Sequence, residues 1–191
     1  SECVSKSYPQ FFDHLKIIVA GSRPIAIVGM RGAGKSGLAR RLASRLKLRC
    51  IDVDGVFEGK HGKIKEYIAK YGWPAFRTLE EQLVSESLQT ATVVSLGGGA
   101  TESRKTRTLL KDRAIVIWVQ ATKAELLKRL ESGKRPSITG LPLHEEVHTL
   151  LVERAPNYKE VADIMIPPKL PYSRQVPCAQ QALRDLVNHL S

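Results

Sequence analysis

Short runs of β-branched and aliphatic residues alternate along the chain with longer stretches in which apolar residues recur every three or four positions. The first kind predicts strands covered on both faces, and the second predicts amphipathic helices. The strand runs are Ile25–Val28, Cys50–Val53, Val93–Leu96, Ile115–Val119 and Ile164–Ile166. Helical spacing fills Lys35–Lys47, Ile64–Tyr71, Pro74–Leu88, Ser103–Lys111, Lys123–Glu131 and Leu143–Val152, and it returns over Ala179–Leu190. Such alternation is the mark of an α/β fold with a parallel sheet. Glycines, prolines and cations concentrated in Ser132–Pro142 predict a surface loop suited to act as a lid. The prolines of Pro167–Pro177 predict an extended connector.

The length of 191 residues suits one domain with short appendages. Composition adds that 42% of residues are hydrophobic and 26% charged, enough for a core and unlike a disordered chain. The formal charge of +11 favours anionic partners, among them nucleotides, phosphorylated or carboxylated metabolites, nucleic acid and membrane surfaces. Much of it lies on one helix, in Arg40, Arg41, Arg45, Lys47 and Arg49, where solvated surface is the simplest expectation. Cys3, Cys50 and Cys178 are too few and too far apart for a disulfide framework or a zinc site, and no apolar run is long enough to span a membrane. A cytoplasmic, reducing setting is expected, without membrane contact. The start at Ser1 rather than methionine suggests a piece cut from a longer polypeptide.

The most specific chemistry lies between the first strand and the first long helix. Gly29-Met30-Arg31-Gly32-Ala33-Gly34-Lys35-Ser36 is a complete G-x-x-x-x-G-K-[ST] loop in the strand–loop–helix context that such a loop requires. Backbone N–H groups there curl around phosphates, the lysine reaches the outer phosphates, and the serine hydroxyl is placed to ligate Mg²⁺. Gly29, Arg31, Gly32, Ala33, Gly34, Lys35, Ser36 and the following Gly37 are therefore the candidate nucleotide contacts.

Asp52 and Asp54 stand two residues apart at the end of the second strand run, where an extended chain turns both carboxylates the same way. One is suited to the Mg²⁺ shell and the other to an acceptor hydroxyl, although a turn aspartate before Gly55 satisfies the same spacing. Gly97-Gly98-Gly99 closes the third strand run, letting backbone approach a ligand at the same edge. Arg77 lies three residues before Glu80, a pairing able to fix its guanidinium for a carboxylate or, equally, an ordinary surface ion pair. Arg154, ahead of Ala155-Pro156-Asn157-Tyr158, is expected at a helix end.

From about Pro24 to Ile166 these residues resemble shikimate kinase. The likeness rests on Gly29–Ser36, Asp52-Val53-Asp54, Phe76-Arg77-Thr78-Leu79-Glu80, Ser95-Leu96-Gly97-Gly98-Gly99, Arg135-Pro136 and Glu153-Arg154-Ala155-Pro156-Asn157-Tyr158, all in the family's order. It implies a P-loop fold like that of nucleoside monophosphate kinases, with a five-stranded parallel sheet flanked by helices, a mobile lid, and transfer of the ATP γ-phosphoryl group to the 3-hydroxyl of shikimate. Carried over by position, Asp54 contacts the hydroxyl and Asp52 joins Ser36 around Mg²⁺. Arg77, Arg154 and the Gly97–Gly99 backbone hold shikimate, Arg135 is the lid arginine, Arg129 flanks the adenine, and Asp54, Lys35 and Arg135 form the catalytic set. Departures are Gly37, where the family usually carries Thr or Ser, and Pro167–Pro171, where bacterial enzymes contact adenine.

The loop wording is similar to that of the kinase domain in the pentafunctional AROM polypeptide, and residues 3–13 resemble the end of an EPSP synthase domain. The implied division is a flank over 1–21, the kinase-like domain over 22–168, and a linker with a C-terminal helix over 169–191. Partners would be shikimate and neighbouring domains of the longer chain. Three rivals stay open: a non-catalytic relative in a quinate-pathway repressor, which would bind ligand without turnover; another small-molecule kinase such as gluconate kinase; and a nucleic-acid-binding module. Only the overall charge suggests the last, since no aromatic-interleaved basic strand is present.

Overall fold

The strand-forming runs pair side by side in parallel. They are β1 (Ile25–Val28), β2 (Arg49–Asp52), β3 (Thr92–Ser95), β4 (Ile115–Val119) and β5 (Ile164–Ile166), and their order across the sheet is β2-β3-β1-β4-β5. The computed structural model describes residues 23–89, 91–132 and 139–190, with side chains up to 186. In the central β1 every residue is buried, whereas Arg49 and Cys50 of the edge strand β2 are exposed. The register places Asp52 at the end of β2 opposite Ser95 at the end of β3, while Ile27 of β1 pairs with the same serine.

Helices cover both faces: α1 (Lys35–Leu46), α2 (Val53–His61), α3 (Ile64–Ser87), α4 (Arg104–Arg113), α5 (Lys123–Ser132), α6 (Leu143–Val161) and α7 (Tyr172–Leu190). On α1 the buried residues Leu38, Ala39, Leu42, Ala43 and Leu46 form the apolar stripe that the sequence spacing predicts. Arg40, Arg41 and Arg45 fall on its exposed side and Lys47 caps its end, whereas Arg49, expected on the same helix, is an exposed residue of β2, because α1 stops at Leu46. Among the described residues no helix is long and apolar enough to cross a membrane.

Four elements differ from the sequence expectation. The second strand stops at Asp52 and α2 starts at once, so Asp54 sits in the first turn of a helix and not beside Asp52 on a strand. No helix was expected over 53–61, because Gly55 and Gly59 dilute its periodicity and its buried positions are only Val53 and Phe57. Phe57 compensates by packing against Tyr67 and Phe76, with ring centroids 5.1 and 5.0 Å away, which ties α2 to α3. The expected break between Ile64–Tyr71 and Pro74–Leu88 is present as a kink inside α3, where Gly72 takes φ 80° and Pro74 opens the second half.

Helix α6 continues well past Val152 and through Pro156, so Arg154 is a mid-helix residue and not a helix-end cation. The carbonyl that Pro156 leaves without a donor belongs to Val152, which is 63% exposed and faces water. The connector over Pro167–Pro177 is shorter than its prolines suggest. Helix α7 starts at Tyr172 because burial of Val176, Ala179 and Leu183 against α1 and β5 outweighs the missing N–H of Pro177. The N-terminal flank 1–21 and Arg135, expected as the lid arginine, lie outside the described residues.

Candidate active site

The loop after β1 turns back on itself because its glycines take conformations that other residues resist. Gly34, the residue before α1, has φ 102°, and a Cβ on Gly29 would lie 2.5 Å from the Val119 carbonyl oxygen. Lys35 is buried, and its ammonium donates to the Met30 carbonyl at 3.1 Å, so its charge is held against the loop. Arg129 of α5 braces the loop from outside, donating to the carbonyls of Gly32 and Ala33 at 3.2 and 3.1 Å. The loop is therefore shaped before any phosphate arrives, and the N-terminus of α1 points into the space that it encloses.

Beside the loop, the strand ends supply oxygen donors. Ser36 Oγ is 3.2 Å from Ser95 Oγ, and Ser95 is the register partner of Asp52. A hydroxyl and a carboxylate thus flank the phosphate loop, and phosphate oxygens and water would supply the other ligands that a Mg²⁺ ion demands. No cluster of three or more His, Cys, Asp or Glu able to hold a metal occurs among the described residues. That donor set fits Mg²⁺ held jointly with a nucleotide.

Across the cleft stands an anion clamp. Arg77 Nη1 donates to Glu80 at 2.5 Å and its Nη2 to Glu102 at 2.6 Å, while Arg154 Nε donates to Glu102 at 2.7 Å. The two guanidinium groups, brought from α3 and α6, share one carboxylate. Gly97, Gly98 and Gly99 form the wall between them and the phosphate loop, and a Cβ on Gly98 would lie 3.1 Å from the Arg31 backbone nitrogen. The Tyr158 hydroxyl donates to the Gly98 carbonyl and fixes this wall to α6, and burial pushes the phenol pKa up, so it stays a donor.

Asp54 lies between the two regions. It opens onto the cleft, yet the protein around it strips enough water to push its carboxyl above the usual aspartate range, against the pull of Lys35. Burial likewise raises the Glu80 carboxyl, against the pull of Arg77. The packing is close, for a Cβ on Gly97 would lie 2.5 Å from Glu80 Oε1 and 2.8 Å from Asp54 Oδ1.

The structure brings Lys35, Asp52, Asp54, Arg77, Gly98 and Arg154 to the lining of one cleft of about 1040 Å³. It runs along the carboxyl ends of the strands and has room for two ligands end to end. Gly32, Gly34, Ser36, Gly37, Arg31 and Arg129 line the same cleft, as do Gly97 and Gly99. Gly29 and Ala33 support the loop from beneath, Ala33 through its N–H to the Met30 carbonyl at 3.0 Å.

Sequence reasoning did not single out three contributors. Glu102 bridges the arginines, Ser95 meets Ser36, and Tyr172 covers the loop. The Tyr172 hydroxyl lies 2.8 Å from where a Gly34 Cβ would be, and Arg41 and Arg129 are within 4.8 and 5.8 Å of its ring centroid. That ring and Arg41 occupy the space beside Gly37. Glu102 and Tyr172 lie in no motif, Ser95 only opens the segment that ends in Gly97–Gly99, and for all three the contact alone reveals the role.

Residues 31–184 match the family described as shikimate kinase. The chain belongs to the shikimate kinase family. A shikimate kinase of Rhodococcus jostii is 41% identical over 143 residues, spanning 73% of this chain and 84% of the relative. A shikimate kinase 2 of Enterobacter sp. is 36% identical over 146 residues, covering 74% and 84%. In structure, shikimate kinase from Acinetobacter baumannii in complex with shikimate superposes with a TM-score of 0.80 at 29% identity, covering 90% of this chain and 97% of that one.

In this shikimate kinase frame the glycine wall acts through space and not through backbone strain. Gly99 has φ −101°, open to any residue, yet a Cβ there would collide with the Arg77 guanidinium. A side chain end can move aside, so Gly99→Ala should leave the melting temperature within a few degrees of wild type while pushing Arg77 off its line. We expect KM for the acid substrate to rise by about tenfold or more, as loss of one charge-assisted hydrogen bond implies. Steady-state kinetics beside a melting curve checks it.

Proposed function

We propose that this shikimate kinase moves the ATP γ-phosphoryl group to the 3-hydroxyl of shikimate, and that its cleft seats the nucleotide on the Gly29–Ser36 loop and the acid on Arg77 and Arg154. The observation that carries the assignment of residues is convergence: a phosphate loop, a carboxylate of raised pKa and a two-arginine anion clamp face one cavity.

Loop N–H groups and Lys35 neutralise phosphate charge and orient the γ-phosphoryl toward the acceptor. Ser36 and Asp52 would hold Mg²⁺, which when bound would supply positive charge against the phosphate oxygens. Arg77 and Arg154 fix the acid by its carboxylate, and the Gly97–Gly99 wall sets its depth, so that its hydroxyl meets Asp54. Asp54 accepts that hydroxyl's hydrogen bond and takes its proton as the new O–P bond forms and the bond to ADP breaks. Arg135, which the resemblance assigns to the transferring phosphoryl group, would add positive charge there. Arg129 would flank the base of the nucleotide.

A coupled assay following ADP release from ATP and Mg²⁺, with and without shikimate, tests the reading. ADP formation that requires shikimate supports it, and shikimate binding without ADP formation sinks it. The wording of the loop and the likeness of residues 3–13 to the end of an EPSP synthase domain also support placing this unit within a longer, AROM-type polypeptide. An immunoblot of the native protein should then show a band far above the 21.2 kDa of this chain, and a band near that mass would exclude it.

A further inference from the structure

The acid clamp already holds a carboxylate. Glu102 closes the single 3₁₀ turn Ala100–Glu102 that follows the glycine wall, and each of its two oxygens accepts from a different arginine, Arg77 at 2.6 Å and Arg154 at 2.7 Å. That is how a ligand carboxylate would bridge the same pair.

Arg154 donates through Nε, which carries one hydrogen, so a second carboxylate cannot use that N–H while Glu102 has it. One hydrogen of Arg77 Nη1 already goes to Glu80. The two glutamates differ in access: the Glu80 side chain is 5% exposed and the Glu102 side chain 38%. Glu80 is a permanent buried partner, whereas Glu102 has solvent to turn into. Its main chain need not move, being pinned by its N–H to the Gly99 carbonyl at 2.9 Å and by Arg107 Nη1 to its own carbonyl at 3.0 Å.

We infer that Glu102 is a built-in competitor for the clamp, occupying in the free protein guanidinium N–H groups that would otherwise serve the substrate's carboxylate, and so lowering the affinity for that substrate. The inference rests on the assignment of Arg77 and Arg154 to the acid. Until substrate arrives, Glu102 keeps two inward-facing cations paired. When substrate binds, Glu102 gives up its place and rotates outward, and that exchange is charged against binding. A Glu102 that stayed as a brace would instead put its negative charge beside the incoming one.

The test is calorimetric titration of shikimate into wild type, Glu102→Gln and Glu102→Ala, with KM for both substrates. Competition predicts that Kd and KM for shikimate fall in both variants by about three- to tenfold, the effect of removing one like charge at a partly solvated site, with KM for ATP unmoved. Unchanged or weakened shikimate binding overturns the inference. A wild type that binds no shikimate would defeat the functional assignment and this inference together, whereas wild-type binding with unimproved variants defeats only the inference. Should the variants fold poorly, a crystal structure of wild type with shikimate decides. Glu102 turned away from Arg154 Nε supports competition, and Glu102 still bridging both arginines overturns it.

Discussion

Lys35→Ala should lower kcat by about 10³-fold or more while the protein still folds. The lysine is buried at 8% exposure, donates to a carbonyl of its own loop, Met30 O at 3.1 Å, and pulls the Asp54 carboxyl pKa down. In the proposed mechanism, removing it takes away a positive charge that faces the transferring phosphoryl group, at a site already poor in water, where a missing charge is felt most. The hydrogen bond to Met30 O contributes about 1 kcal/mol, so its loss lowers the melting temperature by about 2–4 °C for a chain of this size. Rapid-quench or coupled kinetics beside a thermal melt separates the two effects. Near-normal turnover in a folded variant would remove the phosphate loop from the mechanism.

Asp54→Asn should lower kcat by about 10²- to 10⁴-fold and raise the melting temperature slightly. Burial is the larger influence on Asp54 and lifts its carboxyl pKa, while Lys35 pulls it down. The sign follows. A carboxyl whose folded pKa exceeds its unfolded pKa contributes stability below the unfolded value, and that contribution is lost as pH rises through the folded value. At neutral pH the ionised side chain is therefore a cost that asparagine removes. Because Asp54 opens onto the cleft, the gain is small, on the order of 1–2 °C. In the proposed mechanism the same shift governs activity, since Asp54 must be ionised to take the proton. Wild-type kcat/KM for the acid should fall on the acid side at a pH above the ordinary aspartate range, and that limb should be missing from the residual rate of Asp54→Asn. An acid limb unchanged in Asp54→Asn would assign it to another group, with Glu80, whose carboxyl burial also raises, the next to test.

These two variants act at opposite ends of one design. The phosphate loop is local, built by consecutive residues and one helix N-terminus, and its effects are on charge in the transition state. The acceptor side is assembled from α2, α3, the glycine wall and α6, so, Asp54 apart, its failures should appear mainly as changed affinity for the acid, as expected for Gly99→Ala and for the Glu102 variants.

Strand runs, helix stripes and the phosphate loop were legible in the sequence because each depends on neighbours within a few residues. The apolar stripe of α1 and the fully buried β1 follow from spacing alone, and G-x-x-x-x-G-K-[ST] is a motif because its work is done by contiguous backbone. The kink at Gly72 before Pro74 was legible for the same reason. Tertiary structure decided the rest. Helix α2 forms because Phe57 finds Tyr67 and Phe76, so Asp54 reaches the cleft from a helix and not from a strand. Arg154 became a buried mid-helix cation only when α6 ran on through Pro156. That Glu102 joins Arg77 to Arg154, and that Tyr172 lies over Gly34, depends on contacts between residues far apart in the chain. Local spacing encodes which face of an element is apolar. It does not encode which distant charge will meet another when those faces pack.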